Sequence, residues 1–396
     1  MSENERRILA LIADNGPMSK GDLANRGHMA WATVVKYVNR LEAAGVLMRA
    51  GTAPRELQLG KNSYVFDLAS DAPKFIGIDV EYRTTRVAVV DLRREILWQG
   101  HMPTPIVEDQ PALVRFIEDE VLARVCDSDA AGVGCTGDAF GSVVGVGIGM
   151  PRWLLPRGTD VFASLAGSVS ARLGVAVRVE NNTRAYTLYK EPQIRENTFV
   201  VVSVRNGIGA GLVIDGALHS GEEGLAGEIG HITAKENGAP CRCGKRGCLE
   251  TVVNQHTLFA SFLSRIHRSK VEDAIAVEEG LPELFDRADG GDEDAREILT
   301  KAAAPVGRAL AILILVLDIR NIYIVGHFGD HGDAWLEPLR QVVARNVDPR
   351  LNFELHYRKL EEAGYLLGAA MLVGREYLDY SVLDAAGDPM SAAVGS

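Results

Sequence analysis

Three cysteines and a histidine set the tightest constraint on how this chain can fold. Cys241, Cys243 and Cys248 fall in one C-x-C-G-x-x-G-C run, and His231 precedes them in Gly227-Glu228-Ile229-Gly230-His231. A fold that brings these four side chains together surrounds one tetrahedral ion with three thiolates and an imidazole, a soft set that favours zinc over magnesium or calcium. With all four positions filled by protein no place is left for a reacting water, so the expected Zn2+ is structural. Gly244 and Gly247 supply the tight backbone such a knot needs. A disulfide is the rival reading. The chain begins without a charged-then-apolar signal segment, which points to a reducing cytoplasm and against that rival. Cys126 and Cys135 stand apart and read as small hydrophobes.

A chain of 396 residues exceeds what one hydrophobic core serves and predicts two or three domains. The longest aliphatic run, Ala309 to Leu317, is bounded by Arg308 and Asp318. It is far shorter than the roughly 20 residues that cross a bilayer, so a buried helix and no membrane partner are expected. Charge divides unevenly. Up to Phe66 there are nine Lys/Arg against six Asp/Glu, a balance of +3, while the remainder carries 33 against 47, a balance of −14. The acidic body repels nucleic acid, so any DNA contact falls to the N-terminal module.

That module reads as three helices. Ile8, Leu9, Leu11 and Ile12 recur at helical spacing within Arg6 to Asn15, ended by Gly16-Pro17; Ser19 caps Lys20 to Asn25, with Asp22 in its first turn. Ala30 to Ala44 forms the third, with Val34, Val38 and Leu41 inward. Val46 to Ala50 and Leu57 to Leu59 read as strands of a wing. This is a winged helix-turn-helix whose third helix enters the major groove. Trp31, Thr33, Lys36, Tyr37, Arg40, Arg49, Arg55 and Lys61 are the candidate contacts to operator DNA. A protein-docking module is the alternative.

After a polar joint near Ala69 to Pro73 come three strand patterns: Phe75 to Val80, Arg86 to Asp91 and Glu95 to Trp98. A second set follows at Thr198 to Val204, Ala210 to Asp215 and Ala217 to His219. The body is a duplicated α/β unit, the arrangement of actin-like ATPases and sugar kinases, in which two halves face each other across a cleft.

The GEIGH segment, the C-x-C-G-x-x-G-C-x-E run, both meanders and Glu361 to Ala370 together resemble the ROK family of repressors, open reading frames and sugar kinases. The resemblance implies an actin-like (ribonuclease H-like) duplicated sugar-kinase fold behind a winged helix-turn-helix. It assigns residues 1–68 to the DNA-binding head, 74–195 and 196–380 to two lobes, and 381–396 to a flexible tail. It further implies that His231, Cys241, Cys243 and Cys248 bind zinc, and that Glu228, His231 and Glu250 approach sugar hydroxyls in the cleft. His231 cannot give one nitrogen to both.

Kinase chemistry is expected to be lost. Family kinases end a strand with Glu-Asn-Asp, the aspartate acting as base, whereas this chain has Glu180-Asn181-Asn182. Asn182 cannot take a proton, although it and Asn181 can still hydrogen-bond a sugar. The first phosphate turn, Asp-x-Gly-Gly-Thr-Lys in the kinases, reads Asp79-Val80-Glu81-Tyr82-Arg83-Thr84, which puts an acid and an aromatic ring where phosphate would approach. The second turn, Arg205 to Gly209, keeps glycines but lacks the threonine, and a late Gly-Gly becomes Gly326-His327. Arg152 and Arg184 are further departures, each an anchor for a ligand phosphate or carboxylate or else, for Arg152, a bystander facing water and, for Arg184, an ordinary ion pair.

These readings predict a cytoplasmic sugar-responsive transcriptional regulator, a repressor of carbohydrate-metabolism genes with a non-catalytic sensor. Its partners would be operator DNA, a sugar or sugar-phosphate effector, and a second copy of the chain in a homodimer or tetramer. The alternatives are an ATP-dependent sugar kinase with a DNA-binding head and a protein-docking body.

Overall fold

The computed structural model describes residues 1–53, 63–105, 110–127, 143–154, 161–190, 193–194, 196–269 and 274–378. Arg55, Lys61, the wing segment Leu57 to Leu59, Cys135, the side chain of Cys126 and the expected tail lie outside them.

In the N-terminal module, α1 spans Glu3–Asn15 and starts before the expected Arg6. A capping box is the cause: Ser2 Oγ accepts from the Glu5 backbone N–H, and the Glu5 carboxylate accepts from the Ser2 backbone N–H at 2.7 Å. β1 (Met18–Ser19) leads into α2 (Lys20–Arg26), where Ser19 and Asp22 form a second capping box. α3 (Trp31–Ala43) buries Val34, Val38 and Leu41. β2 (Leu47–Ala53) and β3 (Ser63–Leu68) complete a three-stranded antiparallel sheet of order β1-β3-β2. The strand that returns to β2 is therefore Ser63–Leu68, beyond the stretch read from the sequence.

Two five-stranded sheets follow. The first contains β4 (Lys74–Val80), β5 (Thr84–Val90), β6 (Ile96–Pro103), β7 (Val143–Gly149) and β8 (Ala176–Glu180), in the order β6-β5-β4-β7-β8. The second contains β9 (Phe199–Val204), β10 (Ile208–Ile214), β11 (Ala217–His219), β12 (Asn321–Gly326) and β13 (Glu354–Lys359), in the order β11-β10-β9-β12-β13. Each is an antiparallel meander continued by two parallel strands. β4 and β9 are buried at every position because both faces of these central strands are covered. The repeat read from the strand patterns is thus a repeat of topology.

The final helix, Glu362–Tyr377, returns from the second sheet to pack on β4, β7 and the helix Asn182–Lys190. Its Leu366, Leu367 and Ala370 share one apolar cluster with Phe75 and Val90 of the first lobe and Ile8 and Val38 of the head. Ion pairs Arg93–Asp67 and Arg94–Asp14 add polar contacts between head and body.

The apolar run at Ala309 lies in a helix that begins earlier, Glu293–Leu317. This helix is long and apolar enough to cross a membrane by length and composition, and 67% of its most apolar window is buried inside the protein. The expected buried helix leaves one face open, where Ile312, Leu315 and Val316 are exposed.

Candidate functional site

Five segments converge on a cleft between the two sheets. The end of β4 contributes Glu81 and Tyr82; the β8 end and the following helix contribute Asn181, Asn182 and Thr183; the β9–β10 turn contributes Arg205 to Gly209. The short turn Ile229–His231 and the helix Leu249–Val252 bring in Glu228, His231 and Glu250. Together they line a cleft that is open to solvent, its empty space about 490 Å³ with the open part counted.

The polar groups are bonded to one another. Asn181 Nδ2 donates to Glu228 Oε1 at 3.0 Å, and Asn181 Oδ1 accepts from the backbone N–H of Thr183 at 2.8 Å. Asn182 Oδ1 also accepts from Thr183 N–H, at 2.9 Å. An amide at this position cannot take up a hydroxyl proton as a carboxylate could. Gly227 holds the loop in place, with φ +84° and a site where any Cβ would stand 1.8 Å from the Ala210 carbonyl oxygen.

The two arginines read as possible anion anchors serve other ends. Arg184 is buried; it pairs with Glu180 and donates to the carbonyls of Ala226 and Gly224, both at 2.8 Å. It therefore pins the Glu228 loop to the helix Asn182–Lys190. Arg152 sits beside the cavity-lining Pro151 but does not itself line the cavity, and its guanidinium lies over the Phe162 ring. Sequence reasoning placed Glu81, Tyr82 and Arg205 on a ruined phosphate site without seeing that they face the cavity. It missed Ser203 and Tyr365 altogether, because their membership depends on how the sheets meet.

The turns at Asp79 and Arg205 are joined across the cleft. Arg205 donates to Asp79 Oδ2 at 3.1 Å through both terminal nitrogens and lies 3.0 Å from Glu81 Oε1. Asn206 also donates to Glu81, while Arg86 pairs with Glu278. His327 Nε2 lies 3.6 Å from Glu278. Burial works against the Arg205 charge, and Glu81 and Asp79 outweigh it, keeping its pKa well above the ordinary value. Burial, with Arg205 and Arg86 nearby, pushes His327 well below the ordinary imidazole value.

Beside the cavity, ligand atoms of His231, Cys241, Cys243 and Cys248 all lie within 4.8 Å of one another. Cys243 Sγ and Cys248 Sγ are 3.5 Å apart, as are Cys241 Sγ and His231 Nδ1. That is far from a disulfide length of roughly 2.05 Å and near the edge of about 3.8 Å of a tetrahedron with zinc–sulfur bonds. Gly247, with φ +68°, leaves no room for a Cβ, which would lie 1.7 Å from the Lys235 carbonyl oxygen. Burial, aided by Lys245, pushes His231 down to about 4, so the imidazole is neutral and able to ligate. Burial and Glu250 push the Cys241 thiol up; its Sγ donates to Glu250 Oε1 at 3.1 Å. The two imidazole nitrogens divide their surroundings: Nδ1 faces Cys241, and Nε2 lies 3.6 Å from Glu228 Oε2. Nδ1 also lies 3.7 Å from Glu250 Oε1.

On the head, Trp31 and Lys36 are exposed and Thr33 and Tyr37 are half-buried, with Lys36 over the Tyr37 ring. Arg40 pairs with Glu5 at 3.2 Å and Arg49 with Glu42 at 2.7 Å, each through Nε, so the terminal guanidinium nitrogens lie outside these two contacts.

The profile of the ROK family matches residues 75–376, and that of a winged helix-turn-helix DNA-binding domain matches residues 1–48. The xylose repressor of Caldicellulosiruptor bescii is 24% identical, covering 95% of this chain and 96% of its own. The glucokinase of Thermotoga maritima is 28% identical, covering 76% of this chain and 97% of its own. Among solved structures, a ROK family transcriptional regulator, a homolog of the E. coli MLC protein, superposes with TM-score 0.70 at 23% identity, covering 96% of this chain and 98% of its own.

Proposed function

This chain belongs to the ROK family, in the branch that carries a winged helix-turn-helix, and on that premise we propose that it is a sugar-responsive DNA-binding repressor of carbohydrate-metabolism genes. Residues 1–68 serve as the head and 74–195 and 196–380 as the lobes, with the terminal helix packed back onto the first lobe. The observation that carries the reading is one continuous packing path. Asn182 of the cavity begins the helix Asn182–Lys190; that helix packs on Glu362–Tyr377, whose apolar face shares a cluster with the head. A sugar that favours one lobe angle would bias the setting of that helix and thereby of the DNA-binding head.

Asn181, Asn182, Glu228, His231 and Glu250 hold the sugar in this reading, with Arg152 at the rim. The body does not phosphorylate it: Asn182 replaces the base, and Asp79, Arg205 and Glu81 fill the phosphate turns with their own ion pairs. His231, Cys241, Cys243 and Cys248 hold structural zinc, which would fix the Glu228 and Glu250 segments against the cleft. The protein acts in the cytoplasm as a dimer, since helix-turn-helix operators present paired half-sites, and the exposed Ile312, Leu315 and Val316 offer apolar surface for self-association. DNA from upstream of its own gene, titrated by fluorescence anisotropy at fixed salt, tests the reading. Specific binding that one sugar alters supports it; absence of specific binding in a folded, zinc-loaded sample removes it.

A further inference from the structure

Tyr82, in the turn between β4 and β5, packs against the core of the first lobe and lines the cleft. The guanidinium of Arg242, from the second lobe, lies over its ring at 4.1 Å from the centroid. A guanidinium is drawn to the face of an aromatic ring and stacks on it. Arg242 is exposed and does not itself line the cleft, so it holds the ring from the outer side.

The two ends of this contact are anchored differently from the contact itself. Arg242 stands between Cys241 and Cys243, two buried members of the metal cluster. The Cys241 N–H donates to the Lys245 carbonyl at 2.8 Å and the Gly244 N–H to the Cys241 carbonyl at 2.9 Å, so the backbone on which Arg242 sits is fixed. On the first lobe, Glu81 beside Tyr82 is bound by Arg205 and Asn206. The ion pairs that join the same two lobes, Arg205 with Asp79 and Glu81 and Arg86 with Glu278, are buried on both sides. Parting one of them strands a buried charge. Parting Arg242 from Tyr82 returns the cation to water and costs far less.

We propose that Arg242 and Tyr82 form a strap across the cleft, which parts to let a ligand in or out while the buried ion pairs keep the lobes together. What passes the strap rests on the sugar reading above; the strap itself is a contact of the ligand-free chain.

Two measurements test it, both on the full chain with its zinc content checked by elemental analysis. Without ligand, hydrogen–deuterium exchange reports on the turn Glu81 to Thr84, where the Glu81 N–H donates to the Thr84 carbonyl at 3.0 Å. Arg242→Gln removes a cation from the opposite lobe and should speed exchange in this turn by about fivefold. Tyr82→Phe keeps the ring and should exchange as the parent does. With isotope-labelled glucose and xylose as probes, NMR line shapes give the association and dissociation rates of whichever sugar binds. Arg242→Gln should raise both rates together by about fivefold and leave Kd within about twofold, as loss of a gate does and loss of a ligand contact does not.

Unchanged exchange at Glu81 to Thr84 in folded, zinc-loaded Arg242→Gln overturns the strap. A faster turn with unchanged sugar rates, or a change in Kd carried by the dissociation rate alone, overturns the gate. If neither sugar binds the parent the gate falls as well, and exchange in the turn still decides whether the strap exists.

Discussion

At the scale of single residues, Asn182 and His327 carry the sharpest consequences. On the non-catalytic reading, Asn182→Asp supplies a carboxylate but leaves the turns at Asp79 and Arg205 bridged by their ion pairs. ATP-dependent phosphorylation of sugars should therefore stay at background in both the parent and the variant, measured by ADP release; turnover in the parent would contradict the non-catalytic reading. His327 is held neutral beside Glu278, Arg205 and Arg86, with its pKa depressed from 6.5. The unfolded chain takes up this proton as pH falls through about 6.5 while the folded one does not, so stability drops on acidification in that window. His327→Gln should flatten this slope of melting temperature between pH 7.5 and 5.5 at constant zinc. His231 adds a slope of the same sign, because its protonation competes with the metal. Zinc itself should add about 2.7 kcal/mol when free ion stands a hundredfold above its dissociation constant. Chelation, or Cys243→Ser, should remove that increment and the bound zinc seen by elemental analysis.

At the scale of elements, the terminal helix is the part whose role depends on packing. A Cβ at Gly368 would stand 2.1 Å from the Ala185 carbonyl oxygen, so Glu362–Tyr377 and Asn182–Lys190 touch backbone to backbone. Gly368→Val should push them apart, costing on the order of 1–3 kcal/mol in denaturant unfolding. It should also weaken the effect of sugar on DNA binding more than it weakens sugar binding. Lys36→Ala on α3 should reduce the salt slope of DNA binding by about 1 if Lys36 meets a phosphate.

The same scale explains what could be read in advance. Local signals were legible: Ser19 capping α2, the inward Val34, Val38 and Leu41, and the strand patterns behind β4, β5, β9 and β10. The metal cluster was legible because its ligands are close in sequence. The capping box at Ser2 could have been read from Ser2 and Glu5, three residues apart, and was missed because the apolar pattern begins later. The Asp79–Arg205 bridge joins residues 126 apart in sequence, and no local pattern encodes it. Arg184 could be read as an ion-pairing residue or as a ligand anchor, and the Glu180 contact decides between them.

At the scale of the whole molecule, the head shares an apolar cluster with the first lobe and the helix Glu362–Tyr377, and the proposed function requires a ligand in the cleft to bias the DNA-binding surface through that packing. The most direct measurement is the dissociation constant for the specific upstream DNA, at fixed salt, with and without a sugar that calorimetry has first shown to bind. The account predicts a change of at least fivefold in one direction, the lower end of ordinary coupling energies of about 1–3 kcal/mol. An unchanged constant with the cleft saturated would contradict it.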